Sequence, residues 1–270
     1  MRDEHISRTM TYLLRHKAVQ EGLPIRSDGY VRLSVPRLHS VDFLTVERIV
    51  KQDKKGRFNL LLEPDNTGAE GMWWIRANQG HSMTVSERTA SESSFAETVK
   101  NIKIDMIRIT DESQVPIAVH GTTSEAWKRI GETLRISLFL ESQLIRSPAN
   151  EGLCRMNRQH VHFAQGIPRS GVLSGMRSTS QVYIFLDIVM ALEYGLELLL
   201  SSNGVVLTPG DIGGYIHPCF FSKVEWAATK KPIKGWTRPP PPGTLRKPAA
   251  TIVSVLEKEN VVEDDEEDGV

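Results

Sequence analysis

Six short stretches of this chain concentrate side chains that handle anions. They are Arg15-His16, the string Ile75-Arg-Ala-Asn-Gln-Gly-His-Ser82, His120-Gly-Thr122, Arg158-Gln-His-Val-His162, Ser174-Gly-Met-Arg177 and Ser201-Ser-Asn-Gly204. A guanidinium offers a planar fork of donors that matches phosphate oxygens, and amides, hydroxyls and imidazoles complete such a site. The Ile75–Ser82 string carries the strongest signal. There Arg76 leaves an apolar run beside Asn78, Gln79, His81 and Ser82, with Gly80 to let the backbone bend. Taken singly, the other stretches have plainer readings. Arg15-His16 is a pair of cations suited to a helix C-terminus, and His120-Gly-Thr122 and Ser201–Gly204 are turns. His160 and His162 share one strand face at a spacing a metal could use. No Cys or carboxylate in that stretch completes a ligand shell, so no metal is expected. Cys154 and Cys219 lack metal-pair spacing and read as free thiols of a reducing compartment. No GxGxxG follows a strand, and there is no GxxxxGK[ST] and no Ser-centred elbow. Neither a Rossmann site, a P-loop nor a nucleophile elbow is therefore supported.

These residues need elements to hold them. Ile6, Met10, Leu13 and Leu14 fall at i, i+4, i+7 and i+8, which predicts a helix ending at Arg15-His16. Asp28-Gly29 marks a turn. Thr45 is read as the cap of a short helix that buries Val46, Ile49 and Val50. Phe58, Leu60 and Leu62 alternate as in a half-buried strand, 66–71 is a turn, and Met72–Ala77 reads as the returning strand. Helices followed by a hairpin suggest a winged-helix module over 1–85, a fold that often binds nucleic acid without proving it. Residues 86–113, rich in Ser, Glu and Thr, read as a connection with a short strand at its end. Over 114–230 a second domain is expected. Its strands are read at Ile117–His120, His160–Phe163, Val182–Leu186 and Gly204–Thr208, and its helices at Ser124–Ile130 and Ile188–Tyr194. Residues 231–270, with Pro239-Pro-Pro-Pro242 and then an acidic run, read as an extended or disordered tail.

Composition narrows the class. The 270 residues, 40% hydrophobic and 24% charged, suffice for one large or two small cores without staples. No apolar run spans a membrane, and the opening MRDEHISRTM is too polar for a signal peptide, so an intracellular protein of the cytoplasm or nucleus is expected. The formal net charge of zero hides an asymmetry. Setting aside residues 257–270, with eight acids and Lys258, leaves 32 basic and 25 acidic residues, a net of +7. A basic body of that size suits a polyanionic partner.

In their order and spacing these stretches resemble the Tpt1/KptA family of RNA 2'-phosphotransferases. The landmarks are Leu13-Leu-Arg-His16, Gly29-Tyr-Val31, Lys55-Gly-Arg-Phe58, Ile75–Ser82, His120-Gly-Thr122, Arg158–His162, Ser174–Arg177 and Asn203-Gly-Val-Val-Leu-Thr208, spread over residues 6–222. The resemblance implies an α+β protein with an N-terminal winged-helix lobe and a C-terminal ADP-ribosyltransferase-like lobe. It implies NAD as a consumed co-substrate, no metal, and RNA with an internal 2'-phosphate, above all tRNA after splicing, as partner. The RNA phosphate would attack the nicotinamide-bearing ribose carbon and expel nicotinamide. The ribose 2''-hydroxyl would then attack phosphorus, releasing 2'-hydroxyl RNA and ADP-ribose 1'',2''-cyclic phosphate. Carried over position by position, Arg15, His16, Arg76 and Arg158 are the catalytic set. Asn78, His81 and Ser82 join Arg15, His16 and Arg76 at the RNA phosphate, and His120, Gly121, Thr122, Gly175 and Arg177 line the NAD site. A monomer is expected. Thr133–Asn150 look inserted relative to the family, and Phe163 stands where the family commonly has Leu. Two other readings use parts of the same pattern: ADP-ribosyl transfer to nucleic-acid phosphates, and non-catalytic RNA binding.

Overall fold

The computed structural model of the chain describes residues 2–33, 41–64, 71–91, 94–130, 152–168 and 176–242. Among them the architecture is mixed α/β, with most of the structure in sheet and few helices. Two hydrophobic cores organise it. The first gathers Met10, Leu14, Val31, Val46, Ile49, Phe58 and Ile75. The second gathers Val161, Phe163, Val182, Ile184, Val206 and Phe221.

Around the first core, helix α1 (Arg2–Tyr12) continues into a π-helical turn over Leu13–Lys17. The expected stripe holds: Met10 and Leu14 are buried, and Ile6 and Leu13 pack against them. The Ala18 N–H reaches the Leu13 carbonyl at 2.9 Å, five residues back. Such a widened turn admits one extra residue and re-aims the side chains on it, here Arg15 and His16. Strand β1 (Val31–Arg32) follows, then α2 (Phe43–Gln52). The cap of α2 is Asp42 rather than Thr45. The Asp42 carboxylate accepts from the Thr45 N–H and hydroxyl, both at 2.8 Å, because an acid at that position satisfies more of the helix's unpaired donors than a threonine inside the first turn. Strands β2 (Phe58–Glu63) and β3 (Met72–Ala77) then pair antiparallel, with Asn59 opposite Arg76. Since β1 adds to β3, the sheet order is β1-β3-β2. The expected 66–71 turn lies mostly outside the described residues.

Within the stretch expected as a connection, β4 (Thr84–Ser91) pairs with β5 (Ser94–Asn101) as an antiparallel hairpin. Its sequence shows no apolar alternation, only scattered β-branched Thr84, Val85, Thr89, Thr98 and Val99, so periodicity is silent there.

The second core lies on a seven-stranded sheet. Its strands are β6 (Ile107–Arg108), β7 (Val119–Thr122), β9 (Val161–Ala164), β10 (Val182–Leu186), β11 (Leu199–Leu200), β12 (Val205–Thr208) and β14 (Phe221–Trp226), ordered β14-β10-β7-β9-β12-β11-β6. A separate pair joins β8 (Leu153–Cys154) to β13 (Tyr215–Ile216). Residues 124–130 (α3) are helical, and α4 (Ile188–Glu193) is capped by Asp187. The four expected strands appear as β7, β9, β10 and β12. Sequence reading missed β14, whose alternation is broken by buried Glu225, here paired with Lys223 at 2.9 Å. The expected tail begins later than residue 231. Ile233 and Trp236 pack on the core, the Trp236 ring stands 6.3 Å from Trp127, and Arg238 pairs with Asp187 at 2.9 Å. The acidic run, like the expected insertion at 133–150, lies outside the described residues. Among the described residues, no helix is long and apolar enough to cross a membrane.

Candidate functional site

A cleft of about 780 Å³ opens between the two cores, with Arg15, His16, Arg57, Arg158 and Arg177 on its wall. Ser7, Thr11, Tyr12, Gln52 and Asp53 line the side formed by α1 and α2. The π-helical turn supplies Arg15 and His16, a tight turn at Gly56 delivers Arg57, and the chain entering β9 supplies Arg158. The lobes meet here through the Gln159 N–H, which donates to the His81 carbonyl at 3.2 Å, and within the first lobe the Ser82 N–H donates to the Arg15 carbonyl at 3.0 Å.

The cations disfavour one another. Arg15 is pushed down to about 10, first by burial, then by Arg158 and Arg57, with Asp53 opposing. Burial and then Arg177 lower Arg158. These guanidinium groups still carry full charge at neutral pH, so an anion placed among them relieves a standing repulsion. The buried Arg15 Nε has no hydrogen-bond partner among the described residues. His16 is lowered by burial, then by Arg158 and Arg15, which favours its neutral form. Its Nδ1 engages the Ser82 hydroxyl at 2.8 Å, leaving Nε2 for a substrate.

The Ile75–Ser82 string divides. Ser82 touches His16, and Gly80, with φ of +85°, lets the chain lie on the Arg15 guanidinium; an added Cβ would stand 3.4 Å from Arg15 Cζ. Arg76 turns away from the cleft. It is 8% exposed, donates from Nη1 to the Asp28 carbonyl at 3.2 Å, and stacks 4.7 Å from the Tyr30 ring centroid. Asn78 is buried and gives its Nδ2 to the carbonyls of Gly56 (2.7 Å) and Phe58 (3.2 Å). His81 is buried behind Arg15 and pushed down to about 3, chiefly by burial and then by Arg15, His16 and Arg76. Of the residues expected at the RNA phosphate, then, Arg15, His16 and Ser82 come together, while Arg76, Asn78 and His81 stand behind them. Arg57 lines the cleft, where Arg76 does not, and the Arg76 Nε, like that of Arg15, has no partner among the described residues. The signal for Arg57 was present in Lys55-Gly-Arg-Phe58, where a glycine turn throws a cation off the start of a strand.

On the other side, His120, Gly121 and Thr122 form β7. His120 is half-buried, its Nδ1 lies 2.9 Å from the His162 carbonyl, and its ring meets Phe163 edge-on at 5.8 Å. Burial lowers its pKa. His162, on β9, is likewise held well below the usual histidine value by burial and then by Arg158 and Arg15. Residues 176–180 lie across Gly121: a Cβ there would stand 2.4 Å from Ser180 Oγ and 2.5 Å from Met176 Cγ. Gly121→Ala should therefore displace this segment, and Arg177 with it. The expected result is a loss of about 1–3 kcal/mol in stability, as for overpacked sites, and a reduced turnover. Thermal unfolding and steady-state rates would check it; wild-type values in both would refute this packing. Gly175 lies outside the described residues. Arg177 lines the cleft beside Arg158. Among the described residues no group of three His, Cys, Asp or Glu is placed to hold a metal.

The cleft sets Arg8, Arg15, Arg57, Arg158, Arg177 and the His16 imidazole around a volume that Asp3, Glu4 and Asp53 also line, an excess of guanidinium groups that suits an anion. The family model described as RNA 2'-phosphotransferase, Tpt1 / KptA family, matches residues 1–137 and 140–210, and the chain belongs to this family. It is 33% identical over 229 residues to tRNA 2'-phosphotransferase 1 of Danio rerio, covering 83% of this chain and 86% of that one. It is 33% identical over 239 residues to tRNA 2'-phosphotransferase 1 of Homo sapiens (86% and 79%). To the tRNA 2'-phosphotransferase of Saccharomyces cerevisiae it is 34% identical over 216 residues (77% and 79%).

Proposed function

We propose that this protein is a tRNA 2'-phosphotransferase, transferring the splice-junction 2'-phosphate of RNA to NAD, inside the cell and as a monomer. Residues 1–85 would be a winged-helix RNA lobe and 114–230 an ADP-ribosyltransferase-like NAD lobe, joined through 86–113. The observation that carries the reading is the convergence of Arg15, His16, Arg57 and Arg158 on one cleft between the two cores.

The described residues suit both substrates. The guanidinium groups match phosphate oxygens, and the buried Arg15 Nε, on the cleft's wall, lacks a partner among the described residues and is spare for an anion. His120, Gly121 and Thr122 would line the NAD side, with Arg177 at its border with the RNA phosphate. In the first step the RNA 2'-phosphate displaces nicotinamide from the ribose carbon, and the cations need only orient a nucleophile that is already an anion. In the second, the ribose 2''-hydroxyl attacks a charged phosphodiester, and charge on the phosphorus oxygens rises. Arg15, Arg57 and Arg158 would stabilise that charge. His16 Nε2, held by the Ser82 contact at Nδ1, would take or give the proton. Arg76, Asn78 and His81 would brace this set from behind.

The test is an oligonucleotide with one internal 2'-phosphate, incubated with the protein with and without NAD and without added metal. The 2'-phosphate should leave the RNA only with NAD, and ADP-ribose 1'',2''-cyclic phosphate should appear. Adduct that never resolves would favour ADP-ribosyl transfer alone, and binding without conversion a non-catalytic RNA module. Equal release without NAD, or abolition by a chelator, would overturn the reading.

A further inference from the structure

We infer that Asn203 is a positioning residue that, acting from the second core's side, fixes the turn carrying Arg57. The Arg57 guanidinium is held within its own lobe by the Ser7 hydroxyl at 3.0 Å and the Asp53 carboxylate at 3.5 Å. The inference rests on the phosphotransferase reading above. Arg57 follows a turn in which the Gly56 N–H donates to the Asp53 carbonyl at 2.8 Å and Gly56 adopts a φ of +53°. Glycine is required for more than its φ, since a Cβ at 56 would stand 3.2 Å from Asn203 Cβ. Asn203 donates from Nδ2 to the Lys55 carbonyl at 3.0 Å. Its Oδ1 lies 2.8 Å from the hydroxyl of buried Ser201, whose single proton is shared between that oxygen and the Val205 carbonyl at 2.9 Å, while the Val205 N–H donates to the same hydroxyl at 3.0 Å. Asn78, just past the end of β3, holds the Gly56 and Phe58 carbonyls. The backbone on both sides of Arg57 is thus gripped by two carboxamides. One belongs to the Arg57 lobe and one to the lobe that carries Arg158. The sequence landmarks Lys55–Phe58 and Asn203–Thr208 meet at this contact.

The consequence is geometric. Arg57 and Arg158 must meet one phosphate from two lobes, and a shift of about 1 Å in a catalytic group can cost up to a hundredfold in rate. The Asn203 contact ties the Arg57 turn to the Arg158 lobe. A purely structural turn residue behaves differently, because Asp fills turns as well as Asn does. Aspartate at 203 would keep the Ser201 contact but face the Lys55 carbonyl with an oxygen, turning a hydrogen bond into a repulsion.

The experiment follows the full chain by quench-flow with 2'-phosphorylated RNA and NAD. Asn203→Ala and Asn203→Asp should each slow resolution of the RNA–ADP-ribose adduct about tenfold, within the range for a misplaced group, so that adduct becomes visible. The KM for NAD and the melting temperature should stay at wild-type values. Adding either change to Arg57→Ala should cause no further loss, because there is no longer a guanidinium to aim. An Asn203→Asp protein at the wild-type rate would overturn the inference. So would losses that multiply with Arg57→Ala, or losses that follow a lowered melting temperature and a raised KM for NAD. A wild-type protein that converts no RNA would instead overturn the reading of the site itself.

Discussion

Arg57→Ala and Arg158→Ala are expected to let RNA–ADP-ribose adduct accumulate while product falls about a hundredfold. Both side chains line the cleft with Arg15, and Arg158 and Arg57 are the two cations that lower Arg15 most after burial. A preorganised donor aimed at developing charge commonly contributes about 3 kcal/mol, or a hundredfold. That contribution should fall on the second step of the proposed reaction, where a neutral hydroxyl would attack a phosphodiester that already carries charge. Arg76→Ala should behave differently. Its guanidinium is bonded to the Asp28 carbonyl and stacked on Tyr30, so its loss leaves that carbonyl short of a donor and destabilises by about 1–3 kcal/mol. Its kinetic effect should stay within about tenfold on the proposed bracing role, while a phosphate contact through its unpartnered Nε would instead cost about a hundredfold. Quench-flow with end-labelled RNA separates substrate, adduct and product, and denaturant melts report stability. Adduct building up with Arg76→Ala but not with Arg57→Ala would reverse the roles given to these two arginines.

That pair of arginines also marks where the sequence is readable and where it is not. Arg15, His16 and Arg158 are assigned through the family resemblance; the helical stripe gives only the end of the helix, and the π-helical turn that aims Arg15 and His16 has no sequence pattern. Arg76 was harder, since strand alternation puts it on a face of β3 without saying what covers that face. The Tyr30 ring and Asp28 carbonyl cover it, and both come from a turn whose path has no periodicity. Arg57 follows a glycine turn, where side-chain direction depends on φ, and on carbonyls bonded by Asn78 and Asn203. These residues are 21 and 146 positions away, and no local pattern reports such contacts. The same limit explains β4, β5 and β14. The first two lack an apolar face to alternate, and the third hides a buried glutamate inside its alternation. Among the strands that were legible, β9, β10 and β12 bury side chains on both faces of a covered sheet, which writes them as nearly continuous apolar runs.

Stability should drop steeply between pH 6.5 and 4.5, because the fold buries histidines in neutral form. His81 is 2% exposed and His162 8%; burial pushes the first down to about 3 and holds the second well below the usual value. His120 and His160 are lowered too, again chiefly by burial. In the unfolded chain each would titrate near 6.5. Above that value neither state binds these protons and stability is whole. As the pH falls below it, the unfolded chain takes up protons that the folded one refuses, and each such imidazole costs about 1.4 kcal/mol per pH unit. Two of them over two units amount to about 5 kcal/mol, as large as the whole stability of a weakly stable domain. The exposed acids with lowered values, Asp42, Asp111 and Glu125, titrate below this window and do not mask it. Urea melts from pH 7.5 to 4.5 should show the midpoint falling once the pH passes 6.5. His81→Asn should be less stable at pH 7.5 yet lose less on acidification, because one proton fewer is taken up on unfolding. A midpoint that stays level down to pH 4.5 would mean that His81 and His162 are protonated or solvated in the folded protein. The cleft's back wall would then carry charge, and the repulsion that prepares Arg15 and Arg158 for a phosphate would have to be reassigned.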